Sequence, residues 1–325
     1  MNSEQILITG ANGQLGTVLA QRLISMYGSD NVIVTDIKTP NIDYVHFELL
    51  DVMNSKAVEE IIQKYKITQV FHLAAILSAT GEKIPMKCWQ VNVDGYLNIL
   101  EASRKFEVKK IFYPSTIAVF GSDAQKIKAP QNSALNPSTV YGISKVSGEQ
   151  WSAYYYNRYG LDIRSVRYPG VIGYQSLPGG GTTDYAVEIF HEALKHQAYN
   201  CFLSADTGLP MIYMEDVINA TIQVMEAPKE DITIRTSYNL EGDSFTPAEL
   251  SEEIKKHIPE FEISYTPDER QAIADSWVNS LDDSPARNDW NWSPVYTLPK
   301  MTKDMIDNLR DMGIGNLKKK LIKEI

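Results

Sequence analysis

The chain has 325 residues and a mass of 36.6 kDa, enough for one large α/β domain or two modest ones. Hydrophobic residues make up 43% and charged ones 22%, so a substantial core can be buried and a disordered chain is excluded. A formal charge of −10 and a pI near 5.1 argue against a nucleic-acid surface, and no apolar run approaches the roughly 18 residues of a membrane span.

The start, MNSEQILITG, runs into a strand-like segment at once and leaves no space for a signal or transit peptide. Two cysteines, Cys88 and Cys201, cannot build a disulfide framework, so the expected compartment is reducing and cytoplasmic. Segments 5–10, 31–36, 44–49, 69–74, 110–115 and 162–169 read as strands, with amphipathic helical patterns beginning near Gln14, Asn54, Met86 and Val140. That alternation predicts crossover connections and a mainly parallel sheet covered on both faces. Beyond Tyr168 a Gly/Pro-rich stretch at 174–183 precedes a helix through about His196. Segment 214–227 reads as a helix, 237–242 as a returning strand and 246–258 as a further helix. Thr246 is its expected N-cap, with Pro247 at the first helical position and Glu249 completing a capping box. The basic end, 316–325, reads as a solvated, frayed helix, and no fixed-period repeat is present.

Gly10, Gly13 and Gly16 form G-A-N-G-Q-L-G directly after the first strand. Glycine permits the tight turn and then the close approach of backbone N–H groups to a pyrophosphate at a helix N-terminus. Asp36 ends the second strand about 20 positions on, where a carboxylate accepts from a ribose diol and repels a 2′-phosphate. No arginine follows it and Lys38 is the nearby cation, so NAD is expected over NADP; the alternative for Asp36 is a cap or turn residue.

Gly10-x-x-Gly13-x-x-Gly16 has two residues between its first glycines, not one. Together with His72-Leu73-Ala74-Ala75, Asn92 with Gly95 and Asn98, and Tyr141-x-x-x-Lys145, it resembles the extended short-chain dehydrogenases/reductases over about the first 172 residues. The resemblance implies a Rossmann-type doubly wound parallel sheet with a smaller α/β substrate-binding lobe. Residues 1–172 would bind NAD, with 212–240 returning to that domain, and 173–211 and 241–325 would form the lobe. By the same resemblance Gly10, Asn12, Gly13, Gln14, Leu15 and Gly16 hold the cofactor in the turn. Asp51 and Val52 would flank the adenine, and Leu73, Ala74 and Ala75 would pass beneath the adenosine ribose. Asn92 would support the site from its helix, and Tyr168 and Val171 complete the cofactor set.

Tyr141 and Lys145 lie one helical turn apart and can share a face. A tyrosine near pKa 10 is a poor base at neutral pH, and an ammonium beside it favours the phenolate. The same lysine can reach the ribose hydroxyls, while Thr116 or Ser115 would hold the substrate oxygen. His46, His72, His191, His196 and His257 show no ligand spacing, so no metal is expected, and His72 reads as a packed core histidine.

Two further features narrow the resemblance to the NAD-dependent L-threonine 3-dehydrogenases of that family. One is Tyr168-Pro169-Gly170-Val171-Ile172 with the following glycine loop, and the other is Asp275-Ser276-Trp277 with Asp282-Asp283-Ser284-Pro285-Ala286 and Asp289-Trp290-Asn291-Trp292. L-Threonine is a small zwitterion, so its site must hold a carboxylate and an ammonium near one secondary alcohol. Gly180, Thr182 and Thr183 are candidates for the carboxylate, and Asp184 is either the ammonium partner or a first-turn helix charge. Ser78 would also face substrate, and Trp277 either closes over the site or anchors the core. The resemblance further implies 2-amino-3-oxobutanoate as product and a homodimer built on segments 86–105 and 140–158. The alternatives are a nucleotide-sugar 4-epimerase and a non-catalytic NAD-sensing regulator. An epimerase would need a basic diphosphate groove, and Lys195, Arg235, Arg270 and Arg287 form no evident cluster. A regulator has no need of the Tyr141–Lys145 pair.

Overall fold

The computed structural model describes residues 4–175, 177, 179 and 181–315; the expectations for Gly180 and for the basic end at 316–325 lie outside the described residues. The first six strands are β1 (Ile6–Thr9), β2 (Val32–Asp36), β3 (Phe47–Leu49), β4 (Gln69–His72), β5 (Lys110–Thr116) and β6 (Asp162–Tyr168). After Pro169 come β7 (Gly170–Ile172), β8 (Ala198–Cys201), β9 (Leu209–Tyr213), β10 (Tyr238–Asn239), β11 (Asp243–Phe245) and β12 (Glu262–Tyr265). A seven-stranded parallel sheet runs in the order β3-β2-β1-β4-β5-β6-β10. This is the doubly wound arrangement expected, and its direction of winding reverses between β1 and β4.

The helices in the first part of the chain are α1 (Gln14–Tyr27), α2 (Ser55–Tyr65), α3 (Ser78–Lys83), α4 (Pro85–Trp89), α5 (Gly95–Lys105) and α6 (Val140–Tyr159). Those after it are α7 (Tyr185–His196), α8 (Met214–Glu226), α9 (Pro247–Lys255), α10 (Glu269–Ser276), α11 (Ser284–Trp290) and α12 (Leu298–Asp311). Alternate residues of the inner strands serve opposite faces. Leu7, Ile33, Val70, Ile111 and Ile163 pack with side chains of α2 and α5. Ile6, Ile8, Val34, Phe71 and Val166 pack with those of α1 and α8. No helix among the described residues is long and apolar enough to cross a membrane.

The helix expected from Met86 is instead α4, a π-turn at Gln90–Asp94 and α5. The strand expected at 44–49 shortens to β3, an edge strand on which Leu49 is 63% exposed and has no second face to bury. The strand expected at 237–242 ends at Asn239, and the chain then turns hard against β9: a Cβ on Gly242 would lie 2.3 Å from the Met211 carbonyl oxygen. The capping box is present, with Thr246 accepting from the Glu249 N–H and Glu249 from the Thr246 N–H.

The remaining strands build a three-stranded sheet, β11-β9-β7, and a two-stranded one, β12-β8. Their core gathers Phe190, Phe202, Phe245, Leu250, Phe261, Trp277 and Met305. One segment departs from the expected partition. Ala286, Trp290 and Trp292, around α11, pack with Tyr238 of β10 in the core of the large sheet, not in the lobe assigned to 241–325.

Candidate active site

A cleft of about 670 Å³ opens over the carboxyl ends of β1, β4, β5 and β6, between the large sheet and the second lobe. Its floor is the glycine turn. Gly10 has φ +71°, and a Cβ there would lie 2.6 Å from the Ala74 nitrogen. A Cβ on Gly16 would lie 2.5 Å from the Gly10 carbonyl oxygen, so side chains at either position would push α1 off the turn. Gly13 caps α1 without a side-chain hydrogen bond, and the first turn carries no acidic residue, leaving its N–H groups for an anion. Asn12, Gly13, Gln14 and Leu15 line the same end. Asp36 is held at the wall, accepting from the Asn12 N–H at 3.0 Å and the Lys38 N–H at 3.3 Å. Asp51, Val52, Leu73, Ala74, Ala75, Tyr168 and Val171 also line the cleft. A bare anion-binding turn closed by a carboxylate that accepts hydrogen bonds is a donor and acceptor set that fits NAD.

Asn92 does not line the cleft. It sits one layer behind, accepting from the Ile76 N–H at 2.8 Å and donating to the Ile76 carbonyl at 3.0 Å and to Ser144 Oγ at 3.0 Å. The π-turn that carries it ties the β4 turn to α6. His72 is buried, hydrogen-bonded to Thr9 and stacked on Tyr96, and burial lowers its pKa to about 3, as befits a neutral core histidine.

The start of α6 is capped twice, by Thr139 Oγ1 accepting from the Gly142 N–H and by Glu82 accepting from the Val140 N–H. Tyr141 and Lys145 follow, and both line the cleft. Thr116 lies beside the phenol on the cleft wall and works against the rise that burial imposes on it. The neighbouring Ser115 hydroxyl instead donates to Glu149 at 2.6 Å. Lys145 Nζ donates to the Pro114 carbonyl at 2.7 Å and lies 5.8 Å from the centre of the Tyr141 ring. Burial pushes the Tyr141 phenol up to about 12 and the Lys145 ammonium down to about 7, each toward its neutral form.

At the other end Ser78, Thr182, Thr183, Asp184 and Trp277 line the cleft. Thr182 is 1% exposed and lines the cleft, and its buried hydroxyl has no hydrogen-bond partner. Asp184 is the residue before the first turn of α7, accepts from the Gly181 N–H at 2.6 Å and lies on the cleft wall. Trp277 is buried in the second core and also lines the cleft. Sequence reasoning missed Leu77, Lys87, Val91 and Gly170. Lys87 and Val91 share a helix face but no motif. Gly170 had a signal, its place after Pro169: a Cβ there would meet Thr183 Cγ2 at 2.7 Å.

Three arginines of the second half are committed elsewhere: Arg235 pairs with Asp162 at 2.7 Å, Arg270 with Asp268 at 2.6 Å and Arg287 with Asp283 at 2.6 Å. None of them lines the cleft, and nor does Lys195. Among the described residues no group of His, Cys, Asp and Glu side chains is arranged to hold a metal ion.

Residues 6–240 match the model of the NAD dependent epimerase/dehydratase family. Mitochondrial L-threonine 3-dehydrogenase of Bos taurus is 45% identical over 311 residues, 94% of this chain and 83% of that protein. Among solved structures, the GalE-like L-threonine dehydrogenase from Cupriavidus necator, in its holo form, superposes with a TM-score of 0.92 at 48% identity, covering 94% of this chain and 99% of its own. A monomeric L-threonine 3-dehydrogenase from a metagenome, in its apo form, gives 0.92 at 46% identity, covering 95% and 99%.

Proposed function

The chain belongs to the NAD dependent epimerase/dehydratase family, and we propose that within it the protein is an L-threonine 3-dehydrogenase, oxidising L-threonine to 2-amino-3-oxobutanoate with NAD as hydride acceptor. The observation that carries this reading is identity of 45–48% across nearly the whole chain with proteins of that activity. The second lobe supports it, because Thr182, Thr183 and Asp184 of that lobe line the cleft while its Lys195, Arg270 and Arg287 do not.

Gly10, Gly13 and Gly16 hold the pyrophosphate against α1, and Asp36 accepts from the adenosine ribose. Asp51, Val52 and Leu73 to Ala75 enclose the adenosine. Thr116 donates a hydrogen bond to the substrate oxygen, and Tyr141, which faces it, takes the proton of the 3-hydroxyl. Lys145 grips the ribose and, when charged, favours the phenolate. Thr182 and Thr183 bind the carboxylate and Asp184 the ammonium, while Trp277 excludes water. Cytoplasmic residence and a homodimer through the exposed faces of α4, α5 and α6 belong to the same proposal.

A nucleotide-sugar 4-epimerase would have to bind a diphosphate with guanidinium or ammonium groups. The arginines available for that are paired with carboxylates away from the cleft. NADH formation followed at equal concentrations of L-threonine and UDP-galactose tests the choice. L-Threonine is expected to reduce NAD; epimerisation of UDP-galactose with no reaction of L-threonine would overturn the reading.

A further inference from the structure

Beneath Tyr141 and Lys145 lies an ion pair with no access to water. Glu149, on α6 one turn after Lys145, and Arg167, on β6, are 0% and 3% exposed at their side chains. Arg167 Nε donates to Glu149 Oε1 at 2.9 Å and Nη2 to Oε2 at 2.7 Å, a two-pronged clamp on the carboxylate. Glu149 Oε1 also accepts from Ser115 Oγ at 2.6 Å, at the end of β5 beside Thr116. The guanidinium reaches on to Asn239 Oδ1 at 3.0 Å on β10 and to the Gln131 carbonyl at 3.2 Å. Burying two charges costs several kcal/mol for each ion before their attraction offsets it, and an apolar pair of like volume is often no less stable. Stability alone is therefore a poor reason for this pair.

We propose that Glu149 and Arg167 are positioning residues for the reaction: the clamped carboxylate, one turn below Lys145, holds Ser115, and so the Thr116 end of β5, against α6. The proposal rests on the reading of Tyr141, Thr116 and Lys145 as the reacting site. Lys145 is faced by Tyr141 and Glu149 on its own helix, by Tyr113 on β5, His72 on β4 and Cys88 on α4. Burial drives its ammonium down to about 7, and Cys88 and Glu149 work against that fall. His72 is neutral at this depth, and Tyr113 is held far above its ordinary range by burial. Glu149 is the one carboxylate among these named neighbours, and it is clamped by Arg167.

Glu149→Gln keeps the shape and removes the charge, but it strands Arg167. Glu149→Met/Arg167→Met removes both charges together and keeps the test usable if the single variant unfolds. Two readouts are made on each variant. Carbon-13 NMR of labelled lysine follows the Lys145 titration in NAD-free protein, with Lys145→Met assigning the signal. Steady-state kinetics give kcat and KM for L-threonine and NAD. The expected results are a Lys145 midpoint lower by about one pH unit in Glu149→Gln, where the Arg167 charge is left behind, and in both variants a kcat reduced about tenfold to a hundredfold with KM for NAD little changed. A folded variant with the wild-type midpoint and wild-type kcat overturns the proposal. So does failure of both variants to fold, which would assign the pair to the core alone. Should wild-type protein leave L-threonine unoxidised, the functional reading fails, yet the titration still decides whether Glu149 governs Lys145.

Discussion

Ser115, at the end of β5, gives its hydroxyl to the buried Glu149 of α6 at 2.6 Å, whereas the Thr116 hydroxyl beside it accepts from the Ala118 N–H and lies next to the Tyr141 phenol. Both residues line the cleft, but the Ser115 donor is already committed.

Tyr141→Phe keeps the ring and deletes the proton acceptor. Turnover of L-threonine should fall by about 10²- to 10⁴-fold, the usual worth of a general base, while NAD binding survives. Thr116→Val should likewise lower kcat more than it raises KM for NAD. Stopped-flow and equilibrium binding measure the two effects; a Tyr141→Phe enzyme within about threefold of wild-type kcat would remove this phenol from the mechanism.

Asp36 is anchored on the cleft wall by the Asn12 and Lys38 N–H groups, and its proposed partner is the adenosine ribose. Asp36→Ala should weaken NAD and raise relative use of NADP, because both the acceptor and the repulsion of a 2′-phosphate are lost. Comparing kcat/KM for the two cofactors checks this. Equal use of both by wild-type protein would refute the role.

The buried, unpartnered Thr182 hydroxyl leads to an asymmetric expectation. Thr182→Val removes an unsatisfied polar atom, so the ligand-free protein should be no less stable. KM for L-threonine should nevertheless rise, because a carboxylate loses its donor. Thermal unfolding and kinetics on the same preparation suffice, and a variant with lowered Tm and unchanged KM would contradict both halves.

Lys145 has its ammonium pKa lowered to about 7 in the folded protein, from the ordinary 10.5. Between those values the unfolded chain binds a proton that the folded one does not, so stability rises with pH across that window. Below it both states are protonated and the burial penalty is felt in full. The difference in unfolding free energy between wild type and Lys145→Met should therefore climb from about pH 7 toward about pH 10. Denaturant titrations of both proteins over that range would show a flat difference if the lysine were not desolvated.

The amino-acid sequence by itself determined the doubly wound sheet, the glycine turn, Asp36, and the Tyr141–Lys145 pair. Each is written in contiguous residues: strand runs, glycines at fixed spacing, two side chains one turn apart on a helix. The capping box at Thr246 and Glu249 was legible for the same reason. Only the tertiary structure commits the Ser115 hydroxyl to Glu149, since that partner lies 34 residues away in sequence. It also put Asn92 behind the cleft, turned Arg235 to Asp162 across 73 residues, and packed Trp290 under β10 rather than in the second lobe. The high phenol and low ammonium pKa values belong with these. They come from the burial of Tyr141 and Lys145 among side chains of distant segments, and desolvation has no signature in the spacing of two residues.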